Sequence, residues 1–378
     1  MIEGREWPIA VRSVDVSAPI APITDVSGYP RTRVFVHQAG TLVGSVDVWN
    51  GGGPISATRL RQAIAGGLAW PLMRRALEGQ LGDGNDAPAP GEAAIRPLSV
   101  SVVIATCNRP DDLRRCLSSL RALRTSVPLE IVVVDNRPGG APTPAVVREF
   151  PDVRFIEERR PGLSYARNAG FMAASGDIAI AIDDDVTVPP GWLERLVAPF
   201  FRREVMCVTG NVLPVALDTE AQCRFEAYGG LGKGFEPIEA GPDWFRAWRT
   251  AVPTWRLGAT ANAAFRRSIF FDPAIGLLDE ALGAGMPTGC SEDTYLFYRV
   301  LAAGFRVRYE PAAVVRHRHR REMSELRAQI FGYSAGHVAY NLTTWRRDRD
   351  RRGLLRVLVE LPVHDIKQLA RVLLRRAP

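Results

Sequence analysis

Residues 178–185 read Ile-Ala-Ile-Ala-Ile-Asp-Asp-Asp, an uninterrupted apolar run that ends in three carboxylates. An apolar run of this length without polar alternation fits a strand buried on both faces, the usual environment in a parallel sheet. Three like charges at its end call for a positive partner. Mg²⁺ or Mn²⁺ suits them, because such hard cations bind through one or two carboxylates together with substrate phosphates. The competing reading is a solvated turn at a strand end, where aspartate is common.

The same pattern recurs on the N-terminal side of this stretch. Residues 98–105 (Leu-Ser-Val-Ser-Val-Val-Ile-Ala), Leu129 to Val134 and Val153 to Ile156 are further buried-strand candidates. Between them, Pro110-Asp111-Asp112 opens a helix through Leu113, Leu117 and Leu120, and a second helix spans roughly Leu163 to Ala174. Strands alternating with helices imply an α/β fold: a mostly parallel sheet flanked by helices. Ligands in such sheets bind beyond the carboxyl ends of the strands. Asp135 and Asp183–Asp185 both stand at such ends and should share one crevice. Thr106, Asn108 and Arg109 follow the first of these strands and occupy the same edge. Thr106 and Arg109 are placed to meet a base and a phosphate, although Asn108 or Arg109 could equally begin a helix, and Asp135 a turn. Arg167 and Asn168 face this edge if their helix packs back on the sheet, with a salt bridge to a nearby carboxylate as the alternative for Arg167. Far along the chain, Glu292-Asp293 precede Leu296, Phe297, Val300 and Leu301, so the pair stands at a helix start. Acidic residues are favoured there on dipole grounds alone.

Taken together, A-T-C-N-R (105–109), I-V-V-V-D-N (131–136), G-L-S-Y-A-R-N-A-G (162–170) and A-I-D-D-D-V-T-V-P-P-G-W-L (181–193) resemble glycosyltransferase family 2. The resemblance continues through G-A-T-A-N-A-A-F-R-R (258–267), L-D-E-A-L-G-A-G-M-P-T-G (278–289), S-E-D-T-Y-L-F-Y-R (291–299) and V-R-H-R-H-R (315–320). It departs from the family at Cys290-Ser291, where glycines are frequent, and at Ala263, where methionine is frequent. The resemblance implies a GT-A fold, a nucleotide-diphosphate sugar donor, a divalent metal (Mn²⁺ or Mg²⁺) and inversion at the anomeric carbon. Carried over residue by residue, Thr106, Asn108, Arg109, Asp135, Arg167, Asp183, Asp184 and Asn262 match donor-binding positions. Asp183 and Asp185 match the metal motif, with His317 preferred over His319 as a further ligand. Asp293 matches the general base, and Glu292 orients it or binds the acceptor. The implied acceptor is a glycan or lipid-linked hydroxyl at the cell surface. Two rivals remain: a nucleotidyltransferase, which would share the aspartates but not need Glu292-Asp293, and a non-catalytic carbohydrate-binding or scaffold protein with the same fold.

The chain of 378 residues carries 46% hydrophobic and 24% charged residues, an ordinary globular composition, with a net charge of +7. Residues 345–378 hold ten Lys/Arg against four Asp/Glu, while no interleaved aromatic-basic pattern points to nucleic acid. The five cysteines are scattered without a CxxC pair, which argues against a zinc site or a disulfide framework. Neither a signal peptide nor an apolar span long enough to cross a membrane is legible, so a cytoplasmic location is expected.

The expected organisation has four parts. Residues 1–81 form a small accessory α+β module, with a hairpin turning at Gln38-Ala39-Gly40 and a helix capped by Ser56 and ended by Pro71. Residues 82–97 form a Gly/Pro/Ala-rich linker, residues 98–320 the catalytic domain, and residues 321–378 a helical basic extension. Leu354, Leu358, Leu361, Ile366, Leu369 and Leu373 make the tail 353–378 amphipathic. It is expected either to pack on the protein or to lie peripherally on the inner face of the cytoplasmic membrane. Gly230-x-Gly232-x-Gly234 follows no strand and is a weak phosphate cradle. Trp244, Trp248 and Trp255 could stack on sugar rings, though burial is the commoner fate of tryptophan.

Overall fold

The structure, a computed structural model, describes residues 7–81, 98–137, 139 and 142–375. The expected linker at 82–97 lies outside them.

The N-terminal part is a three-stranded sheet of β1 (Ile9–Asp15), β2 (Arg31–Gln38) and β3 (Thr41–Trp49), followed by helix α1 (Ala57–Leu81). Strands β1 and β2 run parallel, whereas β2 and β3 form an antiparallel hairpin. Its turn places Ala39 and Gly40 at φ +49° and +71°, matching the primed turns that follow the twist of a hairpin. The Asp15 carboxylate accepts both turn N–H groups, from Ala39 at 3.2 Å and Gly40 at 2.7 Å. Leu60, Ile64 and Leu68 of α1 are buried against this sheet. Ser56 Oγ accepts the Arg59 N–H at 3.3 Å at the start of α1. The helix does not end at Pro71 but continues to Leu81 with Pro71 inside it. An internal proline removes one backbone hydrogen bond, at a cost of about 3 kcal/mol. Just past Pro71, Leu72 packs against the buried cluster of this module, and Arg74 reaches Glu236 at 2.6 Å on the surface.

The main sheet has the order β10-β12-β9-β11-β7-β4-β5-β6, with β8 pairing to β12 at one end. Its strands are β4 (Val100–Thr106), β5 (Leu129–Asp135), β6 (Val153–Glu157), β7 (Ile178–Asp183), β8 (Val186–Thr187), β9 (Val205–Pro214), β10 (Ile238–Ala240), β11 (Asn262–Arg266) and β12 (Arg306–His317). Strands β4, β5, β6 and β7 are mutually parallel, and β9 and β12 are parallel to each other; β11 runs against β7 and β9, and β8 and β10 run against β12. The helices are α2 (Pro110–Arg121), α3 (Pro142–Val147), α4 (Leu163–Ala173), α5 (Trp192–Val197), α6 (Glu220–Tyr228), α7 (Pro242–Ala247), α8 (Glu292–Ala302), α9 (Met323–Asp348), α10 (Arg351–Leu355) and α11 (Leu361–Arg375).

Both faces of the sheet are covered. Leu113, Cys116, Leu117 and Leu120 of α2 pack on one face with Val102, Ile104, Ile180 and Ile182. Ala166 and Phe171 of α4 pack on the other with Val103, Val132, Phe265 and Leu296. Gly170 allows α4 to approach this closely, since a Cβ there would lie 2.2 Å from Val103 Cγ1.

The N-terminal sheet docks on the far end of the main sheet. Ile9 N–H donates to Leu217 O at 2.8 Å, Tyr29 Oη to Asp218 at 2.9 Å, and Phe35 and Leu42 pack against Leu213 and Val314. At the C-terminal end, a wide turn over Arg356–Glu360 joins α10 to α11. Along this segment Leu358, Val359, Val363 and Ile366 are exposed. Among the described residues, no helix is long and apolar enough to cross a membrane.

Candidate active site

The parallel register sets one edge of the site. Ala105 pairs with Asp183 and Thr106 with Asp135, so the ends of β4, β5 and β7 lie side by side. The three aspartates then take different surroundings. Asp184 points inward, where its Oδ2 accepts from Thr106 Oγ1 at 2.7 Å and its Oδ1 from Arg109 Nη1 at 3.2 Å. Burial and the adjoining Asp185 push its carboxyl up to about 7. Asp185 faces Arg109 Nη1 at 2.9 Å and His317 Nε2 at 3.2 Å. Burial opposes its charge, but His317 and Arg109 outweigh that and hold it at about 2. Asp183 accepts from Arg167 Nη2 at 2.6 Å and keeps 30% of its side chain open.

His317 arrives from the other half of the sheet. The two-residue β8, immediately after the aspartates, pairs with the end of β12 and sets His317 opposite Val186. Arg318 N–H closes the junction on Asp185 O at 3.0 Å. Asp183, Asp185 and His317 thereby each offer a ligand atom within 4.8 Å of the others. Asp185 Oδ1 is buried and has no hydrogen-bond partner despite its nearness to His317. Two carboxylates and an imidazole around an orphaned oxygen suit a divalent cation of the Mn²⁺ or Mg²⁺ kind.

The second acidic pair enters the same cleft at the N-terminus of α8, where the helix dipole favours negative charge. Asp293 Oδ2 accepts from Thr260 N–H at 3.1 Å, and its Oδ1 from Thr294 N–H at 2.6 Å. Glu292 is buried and accepts from Arg167 Nη1 at 2.8 Å; burial and the adjacent Asp293 push its carboxyl up to about 7. Arg167, only 2% exposed, therefore ties Asp183 to Glu292 and joins the two acidic groups. The cleft between them measures about 2520 Å³ and is lined by Thr106, Arg109, the three aspartates, Glu292, Asp293 and His317 among others. That exceeds the few hundred to about 1,000 Å³ of a small-molecule site, leaving room for two substrates.

Three expected donor residues are not among those lining the cleft. Asn262 is completely buried in β11: its Oδ1 accepts from Trp192 Nε1 at 3.0 Å, and its Nδ2 donates to Asn211 O at 3.1 Å and Ala313 O at 2.8 Å. With one end of the amide tied to α5 and the other to β9 and β12, Asn262 is a structural pin and does not line the cleft. Asp135 is 1% exposed and accepts the Arg137 N–H at 3.0 Å, so it shapes the turn from which Asn136 and Arg137 line the cleft. Asn108, exposed at φ +55°, also lies outside the lining. Arg167 lines the cleft, and carboxylates take both of its terminal nitrogens. Asn168 exchanges two hydrogen bonds with the Leu278 backbone and stays off the site.

Other lining groups escaped the sequence reading. Lys233, inside the glycine-rich loop, lines the cleft; burial lowers its pKa, against the pull of Asp293. Its signal was a lone lysine in a loop read as a weak phosphate cradle. His319, the alternative to His317 in the sequence, meets Glu226 at 2.9 Å beside the cluster, and no motif announced Glu226. Of the three tryptophans considered for stacking, Trp255 lines the cleft, whereas Trp244 and Trp248 pack edge to face with 5.5 Å between ring centroids.

The chain is similar to several known proteins. Residues 101–271 match the family described as glycosyl transferase family 2. A pre-mycofactocin glycosyltransferase of Mycobacterium tuberculosis is 30% identical over 252 residues, covering 64% of this chain and 47% of the relative. The succinoglycan biosynthesis protein ExoM of Rhizobium meliloti is 28% identical over 233 residues, covering 58% of this chain and 66% of the relative. The chain thus spans about half the length of the first of these relatives. Among solved structures, a mannosyltransferase from Pyrobaculum calidifontis in complex with GDP-Man and Mn²⁺ aligns over 75% of this chain and 73% of its own, with 21% identity and a TM-score of 0.48.

Proposed function

We propose that the protein, whose residues 101–271 match the family described as glycosyl transferase family 2, transfers a sugar, with inversion, from a nucleotide-diphosphate donor to a hydroxyl of a glycan or lipid-linked acceptor. The observation that carries this reading is Arg167, which holds the strand-end aspartates and the Glu292-Asp293 pair in one cleft. A single in-line displacement needs one charged group on each side of the sugar.

Asp183, Asp185 and His317 would hold a divalent cation, Mn²⁺ or Mg²⁺, whose charge offsets that developing on the departing diphosphate. Thr106 and Arg109 hold Asp184 inward, which leaves Asp183 and Asp185 as the D-x-D pair directed at the cluster. On the opposite side, Asp293 takes the proton of the acceptor hydroxyl as its oxygen attacks the anomeric carbon. The bond from that carbon to the diphosphate oxygen breaks, and the nucleoside diphosphate leaves with the electron pair. Thr260 and Thr294 fix the Asp293 carboxylate for this role, which typically contributes 10²–10⁴-fold. Glu292 sits behind it, clamped by Arg167, and acts by position.

This reading treats residues 98–320 as the catalytic unit and 353–378 as a peripheral membrane contact. A cell-envelope acceptor is in keeping with relatives named for succinoglycan and O-antigen biosynthesis. The test is Asp293→Asn assayed against a panel of nucleotide sugars and glycan acceptors. The proposal expects transfer to fall by about 10²–10⁴-fold with donor affinity kept. Full transfer by the variant would refute Asp293 as the base, pyrophosphate release without sugar transfer by the unmodified protein would favour a nucleotidyltransferase, and absence of both transfer and donor hydrolysis would favour a binding or scaffold role.

A further inference from the structure

Four side chains form an unbroken line from the N-terminal sheet to the candidate metal centre. Arg33 of β2 is oriented by Asp47 of β3, which accepts from its Nε at 2.9 Å and its Nη2 at 3.1 Å. Its remaining Nη1 donates to Glu226 Oε2 of α6 at 2.9 Å. The other oxygen, Glu226 Oε1, lies 2.9 Å from His319 Nε2, and His319 Nδ1 lies 3.0 Å from His317 Nδ1. His317 Nε2 then faces Asp185 Oδ1.

Hydrogen-bond polarity dictates the proton positions along this line. A carboxylate can only accept, so His319 donates from Nε2. His319 is 2% exposed, and a neutral ring bearing its proton on Nε2 has a bare Nδ1. His317 must then donate from Nδ1, so Nε2, which faces Asp185 Oδ1 at 3.2 Å, is the nitrogen whose proton a cation in the cluster would replace. Carboxylate–histidine pairs behind a metal ligand are known to fix ring tautomer and orientation. His319 is itself held in place: the Phe225 ring meets it edge on at 4.9 Å, and Gln222 Nε2 donates to its carbonyl at 3.2 Å.

We propose that Arg33, Glu226 and His319 are positioning residues that set the tautomer of His317, so that the N-terminal module controls metal affinity in the cleft. The inference rests on the proposed cation site at Asp183, Asp185 and His317. It assigns a role to a module that lies outside the matched family region.

The test uses the full chain. Mn²⁺ affinity is titrated by the EPR signal of the free ion for the unmodified protein, H317A, E226M, E226Q and R33M. The tautomers of the five histidines are read from ¹⁵N-histidine NMR of the metal-free protein. E226M is expected to weaken Mn²⁺ by about 10–100-fold and to lose the single Nε2–H form of His319. E226Q keeps an acceptor and should fall between E226M and the unmodified chain, while R33M should shift affinity in the same direction as E226M, by less. Should E226M fail to fold, R33M and E226Q decide. Unchanged affinity in the relay variants, with binding lost in H317A, would overturn the relay and leave the metal site standing. No Mn²⁺ binding by the unmodified protein would overturn both.

Discussion

Replacing Arg167 with Met should destabilise the protein by an amount that grows with pH. Arg167 serves two carboxylates of unequal burial: the Glu292 side chain is 6% exposed and that of Asp183 30%. Losing the half-open Asp183 pair resembles losing a surface ion pair, worth about 1 kcal/mol or less. Losing the Glu292 pair strands a buried charge, for which about 3–5 kcal/mol is usual. Glu292 can escape that cost by keeping its proton, since burial already pushes its carboxyl up to about 7. Below that pH the escape is nearly free; above it, each pH unit adds about 1.4 kcal/mol until the full cost is reached. Met also relieves the buried Arg167 Nε, which has no partner. The expected loss is therefore about 1–2 kcal/mol at pH 6 and about 3–5 kcal/mol at pH 8.5. Urea denaturation in EDTA at both pH values reads it directly, and adding Glu292→Gln to the Arg167→Met variant should recover most of the loss at pH 8.5. Equal losses at the two pH values, or less than about 1 kcal/mol at pH 8.5, would refute the claim that Arg167 neutralises a buried Glu292.

Glu292→Gln alone should change the pH profile of stability. Folded Glu292 holds its proton to about 7, against 4.5 in the unfolded chain, so its contribution falls as pH rises from 4.5 to 7 and is level beyond. Denaturation midpoints of the unmodified protein relative to the variant should fall through that window, and a flat difference would contradict the burial argument. Asn262→Ala leaves Trp192 Nε1 and the Asn211 and Ala313 carbonyls without their partner. A loss of at least about 3 kcal/mol in denaturation with donor affinity unchanged is expected, because each of the three stranded groups costs about 1–3 kcal/mol; weakened donor binding in a folded variant would restore Asn262 to the site. Leu358→Glu and Ile366→Glu, at 65% and 66% exposure, should abolish co-sedimentation with anionic liposomes while leaving the melting temperature unchanged. Undiminished co-sedimentation would remove this face from membrane contact.

The crevice was legible because buried parallel strands write themselves as apolar runs, and Thr106, Asp135 and Asp183 end three of them in register. The start of α8 was legible from acidic residues placed ahead of a helical apolar face. What periodicity does not encode is which side chain meets which across the fold. Arg167 and Glu292 are far apart in the chain, and only the packing of α4 and α8 on one sheet face brings them to 2.8 Å. Asn262 stands in a stretch that resembles a family motif, yet its amide is taken up by α5, β9 and β12. His317 depends on β8, a two-residue strand too short to leave a pattern. Pro71 misled in the opposite sense, since a local stop signal did not end a helix whose next residue, Leu72, still packs on the module's core.

The central claim is that the strand-end aspartates bind a nucleotide donor through a divalent cation. It is tested most directly by thermal unfolding with UDP, GDP and their sugar conjugates, with and without Mn²⁺, beside Asp185→Ala. A ligand at a hundredfold excess over its dissociation constant stabilises the native state by about 2.7 kcal/mol. The account predicts a rise in melting temperature with one nucleotide, only when Mn²⁺ is present and absent in Asp185→Ala. A nucleotide shift that ignores both Mn²⁺ and the substitution, or no shift with any nucleotide, would contradict it.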